Sequence, residues 1–298
     1  MHPKRLADFF SRSVARLRGL GAYAMIATMK PSLHAIDTTC ALLAKLRKDA
    51  PLVHCMTNAV VTGYTANALL ALGAAPAMIH DPEEAAQFAA IAGALLVNVG
   101  TITHDQAAAM RAAVEAANQA GRPWVLDPVA VGFLSLRTSL SAELKLKAPA
   151  IIRGNASEII ALAGFKATSR GVDSTAAVSD AREAAELLVD QTGAAVLVTG
   201  EVDVAVAPGR EAVSIANGHA MMTRVTGVGC AQGAIAAAFA AVADTPFDAA
   251  VAAALVMGVA GDMAFETAKR PGSYQIALLD ALDAVDEAAL RARGKTFA

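Results

Sequence analysis

The sequence predicts a doubly wound α/β domain with a mostly parallel central sheet. Short apolar segments bounded by Gly, Pro, Asn or Asp alternate with longer stretches of helical periodicity, the pattern of repeated βαβ units. Several of the short segments are apolar on both faces, Ala94-Leu95-Leu96-Val97-Asn98-Val99 above all, as central parallel strands covered by helices on both sides must be. No long polar linker and no internal repeat divides the chain after the first 33 residues, so residues 34–298 read as a single domain.

In chain order, strands are expected at 52–55, 76–79, 94–99, 124–127, 150–153, 195–199, 203–207 and 212–216. Helices are expected at 59–72, 82–92, 104–120, 155–163, 179–192, 229–243, 246–268 and 275–291. His80-Asp81-Pro82-Glu83-Glu84 reads as a helix start, with Asp81 as N-cap, Pro82 at the first helical position and acids in the first turn. Val202-Asp203, between two apolar runs, predicts an antiparallel hairpin near the sheet edge. Residues 50–80 contain no Asp, Glu, Lys or Arg, but Pro51, Asn58, Gly63 and Pro76 break them into strand, helix and strand. A membrane span needs about 20 continuous apolar residues, so this is a buried unit of the core.

Composition narrows the function. The 298 residues are 55% hydrophobic and 17% charged, with 4% aromatics, so the core is built from small side chains on closely packed helices. The net charge of −2 lacks the basic excess of a nucleic-acid binder. Cys40, Cys55 and Cys230 form no disulfide framework and no CxxC, which points to a reducing, cytoplasmic setting and away from structural zinc. Residues 1–33 carry Lys4, Arg5, Arg12, Arg16, Arg18 and Lys30 against Asp8 alone. Two readings stand: a basic amphipathic targeting or membrane-surface helix, or a non-functional extension ahead of a start at Met25 or Met29.

In open α/β sheets, ligands bind beyond the carboxyl ends of the strands. The polar residues that close apolar strands are therefore the site candidates. Thr226-Gly227-Val228-Gly229-Cys230 precedes a long apolar helix. Its glycines let backbone approach a ligand, and the helix start offers free N–H groups to an anion. It equally reads as a small-residue turn packing a helix onto the sheet. It is not a Walker A loop, since no Gly-Lys-Ser/Thr follows. Cys230 at this helix start is expected to have a lowered pKa and to orient or deprotonate an alcohol, unless it is an inert buried thiol. Asp127 closes a strand before Pro128 and is suited to a hydrated Mg²⁺ or to a turn. Arg153 ends the next strand as a candidate phosphate contact, and Asn155 and Glu158 lie three apart at a helix start. That pair reads as a holder of metal-bound waters and as a capping box, roles that are compatible. Thr199-Gly200 ends a later strand and leaves room for a nucleotide. Singly each has a bland explanation; their order supplies metal, nucleotide and phosphoryl parts.

That order, Asp-Pro-Val at 127–129, Arg-Gly-Asn-x-x-Glu at 153–158, Val-Thr-Gly-Glu at 198–201 and Thr-Gly-x-Gly-Cys at 226–230, resembles the ribokinase-like vitamin kinases. Pro51 to Asn58, Thr65 to Met78, Asn98-Val99-Gly100-Thr101, Gly171-Val172-Asp173-Ser174, Asn217-Gly218-His219 and Pro271-Gly272-Ser273 resemble hydroxyethylthiazole kinases in particular, over about residues 35–290. The resemblance implies a three-layer αβα ribokinase-like fold and transfer of phosphate from Mg-ATP to the primary alcohol of hydroxyethylthiazole in thiamine biosynthesis or salvage. It implies Asn58 and Met78 in the thiazole pocket, Gly227 beside them, Arg153 and Thr199 on the nucleotide, and Asp127 and Glu158 at Mg²⁺ and phosphate. Gly227 and Gly229 then form the anion hole. Cys230 takes the place of the superfamily's catalytic aspartate and orients the hydroxyl more than it deprotonates it. A homotrimer with sites between subunits is implied as well. Cys55 departs from the family's frequent Asn. A hydroxymethylpyrimidine-type kinase, a metal-dependent hydro-lyase and a non-catalytic thiazole-binding protein are the alternatives.

Overall fold

The computed structural model describes residues 29–165 and 174–298. The basic segment up to residue 28, and Gly171-Val172-Asp173, lie outside them. Nine strands form one sheet in the order β2-β1-β3-β4-β5-β6-β7-β8-β9. They are β1 (Leu52–Met56), β2 (Ala75–Ala77), β3 (Ala94–Asn98), β4 (Trp124–Asp127), β5 (Ile151–Asn155), β6 (Ala195–Thr199), β7 (Asp203–Val206), β8 (Val213–Ile215) and β9 (Thr296–Phe297). The first six are parallel and the last three pairings antiparallel.

Side chains alternate across the parallel strands, and each face meets its own helical layer. Leu96, Ile151 and Leu197 point into one core, with Leu46 of α1 (Leu33–Asp49), Leu69 of α2 (Thr62–Leu72), Phe239 of α8 (Val228–Ala240), Val256 of α9 (Pro246–Thr267), Leu282 of α10 (Pro271–Ala284) and Leu290 of α11 (Glu287–Arg293). Their neighbours Leu95, Ile152 and Val196 point into the other core, with Ala85 of α3 (Pro82–Ile91), Met110 of α4 (His104–Gln119), Leu140 of α5 (Ser135–Leu144), Leu162 of α6 (Ala156–Ala163) and Leu188 of α7 (Ser174–Thr192). This period-two alternation with both faces covered is what the doubly apolar strands require. The result is the expected three-layer αβα arrangement.

Most expected elements stand within a few residues of their places. Residues 50–80 are β1, α2 and β2, and Asp81 caps α3 by accepting the N–H groups of Glu83 and Glu84. The hairpin after Thr199 is present, with Asp203 accepting the Gly200 N–H. It does not lie at the edge, because β8 and β9 continue the sheet beyond it. The single helix expected at 275–291 is two: α10 ends at Ala284, and Asp286 starts α11 by accepting the Ala289 N–H. A local polar cap outcompetes the continuous helical periodicity there. The helices α1 and α5 and the two-residue β9 have no counterpart among the expected elements. β9 is held by pairing with β8 and by a bridge from Phe297 to Pro31, long-range contacts with no local signature.

α9 is long and apolar enough to cross a membrane, and it is the only such helix among the described residues. It runs instead through the first core, with Ala249 to Ala254 all buried. At Gly258 it meets the chain after β8 so closely that an added Cβ would lie 2.7 Å from the Asn217 Cβ and 2.9 Å from its backbone carbonyl. Backbone cannot yield as a flexible side-chain tip can. Gly258→Ala should therefore destabilise the protein by about 1–3 kcal/mol, read as a lower urea midpoint at unchanged slope. An unchanged midpoint would show that this contact is loose.

Candidate active site

The carboxyl ends of β1, β3, β4, β5 and β6 bring one connected polar set together, against the start of α8. Register places Asn98 opposite Asp127 and Asn155 opposite Thr199, so the residues closing adjacent parallel strands become lateral neighbours. Gly227 is the N-cap of α8 at φ 96°, a left-handed conformation that favours glycine. A Cβ there would also meet Val61 at 2.9 Å and Tyr64 at 3.1 Å. Gly229 leaves room for the Arg153 guanidinium, 3.1–3.2 Å from where its own Cβ would be. The turn thus presents the first N–H groups of α8 beside a cation, a favourable place for an anion.

Arg153 is buried, and its contacts converge. Its Nε and Nη2 donate to Gln232 Oε1 at 3.2 and 2.9 Å, and Nη2 also donates to Thr199 Oγ1 at 3.1 Å. Its Nη1 lies 3.6 Å from Asp127 Oδ1. Asp127 is fully buried. Its Oδ2 accepts from Asn98 Nδ2 at 2.6 Å, while Oδ1 has no hydrogen-bond partner. Asn98 Oδ1 accepts from Asn58 Nδ2 at 3.1 Å, and Asn58 Nδ2 also donates to Cys230 Sγ at 3.3 Å. A chain of amides therefore runs from the thiol to the buried carboxylate.

Burial pushes Asp127 up to about 7; Arg153 opposes the rise, Glu158 adds to it and the Asn98 hydrogen bond opposes it. Cys230 departs from expectation. Burial, reinforced by the Asp127 charge, raises its pKa against the amides of Asn98 and Asn58. It is a thiol where its helix position suggested a thiolate, because the loss of hydration outweighs the helix-end field. Glu158 fulfils the capping-box reading: Asn155 Oδ1 accepts the Glu158 N–H, and Glu158 Oε2 accepts the Asn155 N–H at 2.9 Å. Its Oε1 takes the Ala130 N–H at 2.9 Å, tying the loop after Asp127 to α6.

Asn58, Asp127, Arg153, Glu158, Thr199, Gly227, Gly229 and Cys230 thus share one neighbourhood. Met78 stands apart, half-buried after β2 and packed on the first core; no hydrogen bond links it to the set among the described residues. Cys55 lies wholly inside that core. Sequence reasoning missed Gln232 and Asp203 and gave Asn98 no role. Gln232 lies inside an apolar helical run, and its only local signal is a polar residue on an otherwise apolar helix. Cavities of about 200 and 310 Å³ lie around Arg210 and Phe247 at the amino end of β6 and include none of these residues. The site lies at the other end of the sheet.

Among the described residues no three His, Cys, Asp or Glu cluster closely enough to cage a metal. Two carboxylates, one with an unpartnered oxygen, suit a hydrated Mg²⁺ that takes its remaining ligands from water and phosphate.

An anion turn facing a buried Arg–Asp pair at the carboxyl edge of a doubly wound sheet defines a phosphotransferase-type site. The known proteins agree. Residues 43–288 match the model of the hydroxyethylthiazole kinase family. The chain is 54% identical to the hydroxyethylthiazole kinase of Akkermansia muciniphila over 258 residues, 86% of this chain and 95% of that one. It superposes on a hydroxyethylthiazole kinase protein from Pyrococcus horikoshii with TM-score 0.81 at 36% identity, covering 87% of this chain and 98% of that one. A ribokinase-like superfamily protein from Enterococcus faecalis, 11% identical with TM-score 0.56 over 79% of this chain and 87% of its own, shares the fold. The protein belongs to the hydroxyethylthiazole kinase family and has the ribokinase-like fold.

The Asp127 shift carries a pH signature. Its ordinary value is 3.8 and its folded value about 7, so between them the native state keeps a proton that the unfolded chain releases, and stability falls as pH rises through that window. The melting temperature of the ligand-free protein should decline across the window more steeply than that of Asp127→Asn. Parallel profiles for the two proteins would contradict the assignment.

Proposed function

We propose that this protein phosphorylates the primary alcohol of hydroxyethylthiazole with Mg-ATP, serving thiamine biosynthesis or salvage. The observation that carries the reading is the convergence of the Gly227–Cys230 turn, Arg153 and Asp127, joined to Asn58 through Asn98. The thiazole would lie on the Asn58 side of this set with Met78, and its hydroxyl beside Cys230. The triphosphate would lie against Arg153, Thr199 and the α8 N-terminus. The hydroxyl oxygen forms a bond to the γ-phosphorus as the bond to the ADP oxygen breaks. The first N–H groups of α8 and Arg153 stabilise charge on the transferring phosphoryl oxygens.

In this reading the neutral Cys230 thiol orients the hydroxyl. The alcohol proton leaves late, to an oxygen of the transferred phosphoryl group and from there to solvent, since phosphoryl transfer relies on positioning and charge stabilisation. Asp127 and Glu158 would hold Mg²⁺ through its waters. The ion would supply charge neutralisation at the phosphates.

The same reading takes the protein as a homotrimer, with sites completed between copies. Val60 just before α2, Leu70 on α2 and Ile276 on α10 are exposed, and α2 and α10 pack side by side, with Val60 two residues from Asn58. A second copy covering this apolar face accounts for their exposure. A cytoplasmic location fits the three free thiols, Cys40, Cys55 and Cys230. Residues 34–298 would form the kinase domain, with the basic segment an appendage.

The test is ADP release from Mg-ATP by purified protein with hydroxyethylthiazole, with hydroxymethylpyrimidine as control. Thiazole-dependent release abolished by EDTA is expected. A folded protein that binds thiazole yet turns over neither alcohol would indicate a binding protein. Asp127→Asn and Glu158→Gln should each lower kcat about a hundredfold or more while thiazole still binds; full turnover in both would remove the metal assignment. Cys230→Ala should slow turnover and Cys230→Asp retain it, and a folded but inactive Asp variant would count against the orienting role. Leu70→Glu should lower the mass measured by sedimentation, and an unchanged trimer would place the interface elsewhere.

A further inference from the structure

Gln232 and Asp203 belong to none of the motifs, yet they complete a closed ring of hydrogen bonds around Arg153. Gln232 Oε1 accepts both Arg153 Nε and Nη2. Gln232 Nε2 donates to Asp203 Oδ2 at 3.0 Å. Asp203 Oδ1 accepts the Gly200 N–H at 2.9 Å. Gly200 follows Thr199, whose Oγ1 accepts from Arg153 and donates to the Gly154 carbonyl at 3.3 Å. Every donor in the ring faces an acceptor.

The ring has one sense. The guanidinium has only donors, so it demands the oxygen of the Gln232 amide. The amide NH₂ must then find an acceptor on its far side, and the Asp203 carboxylate is that acceptor. Gln232 is buried, so water does not substitute readily for either partner. Three of the five guanidinium N–H groups are committed to Gln232 and Thr199. Both hydrogens of Nη1 remain, 3.6 Å from Asp127 Oδ1, and the anion turn at Gly229 lies against the guanidinium as a whole.

We propose that Gln232 and Asp203 are positioning residues that aim the free edge of Arg153 at the nucleotide phosphates and lock it to the Thr199-Gly200 turn. The proposal rests on the reading of Arg153 as a nucleotide contact. It adds that the arginine's orientation is set from α8 and β7, two elements outside the strand that carries it. Loss of the ring frees a long side chain to adopt other rotamers, so the cost falls on ATP binding and not on the thiazole.

The test is a steady-state comparison of KM for ATP, KM for thiazole and kcat in the full-length enzyme. Gln232→Leu should raise KM for ATP about tenfold or more, the equivalent of one hydrogen bond to a charged group, with KM for thiazole little changed. Asp203→Asn places NH₂ against NH₂, and Gln232→Glu places carboxylate against carboxylate; each should impair ATP use in the same selective way. The double variant Gln232→Glu/Asp203→Asn restores alternation at unchanged net charge, because the introduced carboxylate accepts both from Arg153 and from the introduced amide. It should recover KM for ATP to within about threefold of the unaltered enzyme, a coupling between contacting residues that independent effects do not produce. A double variant no better than its singles, or an equal loss for both substrates, overturns the proposal. Arg153→Met reports separately on the reading beneath it: an unchanged KM for ATP would remove the nucleotide assignment and this proposal with it. A raised KM in Arg153→Met with none in Gln232→Leu removes the proposal alone.

Discussion

The buried Arg153–Asp127 pair is the constraint around which the site is arranged. A guanidinium and an acid on adjacent parallel strands have lost most of their water, and removing the acid would leave the guanidinium with one partner fewer. Their hydrogen-bonding capacity must be met from within the fold, and this demand recruits the surroundings. Asn98 serves the carboxylate, Gln232 and Thr199 serve the guanidinium, and Asp203 serves Gln232. The one carboxylate oxygen left without a hydrogen bond lies 3.6 Å from Arg153 Nη1. In a family of kinases, a preorganised charge in a dry site is worth far more to a transferring phosphoryl group than the same charge in water.

The scaffold makes this arrangement possible. Parallel strands with staggered ends bring Asn98 beside Asp127 and Asn155 beside Thr199 through register alone, with no long loop to order. The helix that covers them is small-sided. Gly229 lets Arg153 lie against the first turn of α8, and Gly227 lets the chain enter that turn past Val61 and Tyr64. Alanine-rich packing, which looks like mere core filler, is what allows α8 and α9 to run close to the sheet.

The environment reshapes the chemistry of individual residues. Cys230 at a helix start reads as a reactive thiolate, but burial and the adjacent acid raise its pKa and favour the thiol. Glu158 reads as a metal ligand or a cap; in the fold its two oxygens hold the backbone of Asn155 and Ala130 and fix the loop after Asp127. Met78, by contrast, stands apart from the polar set, half-buried after β2 and packed on the first core.

The sequence alone determined the local and the periodic: which segments are strands, which bury both faces, where Asp81 and Asn155 start helices, and which polar residues end strands and so share an edge. It carried the family as well, because strand-end motifs keep their order along the chain. The tertiary structure decided what depends on contacts between distant segments. The split of the last helix at Asp286 and the pairing of β9 with β8 and Pro31 needed the whole fold. So did the ring through Gln232 and Asp203, whose members lie on four separate elements. A hydrogen bond between residues far apart in sequence leaves no periodicity to read, and a pKa is set by the solvent that folding excludes. Those two facts divide what could be read in advance from what had to be seen.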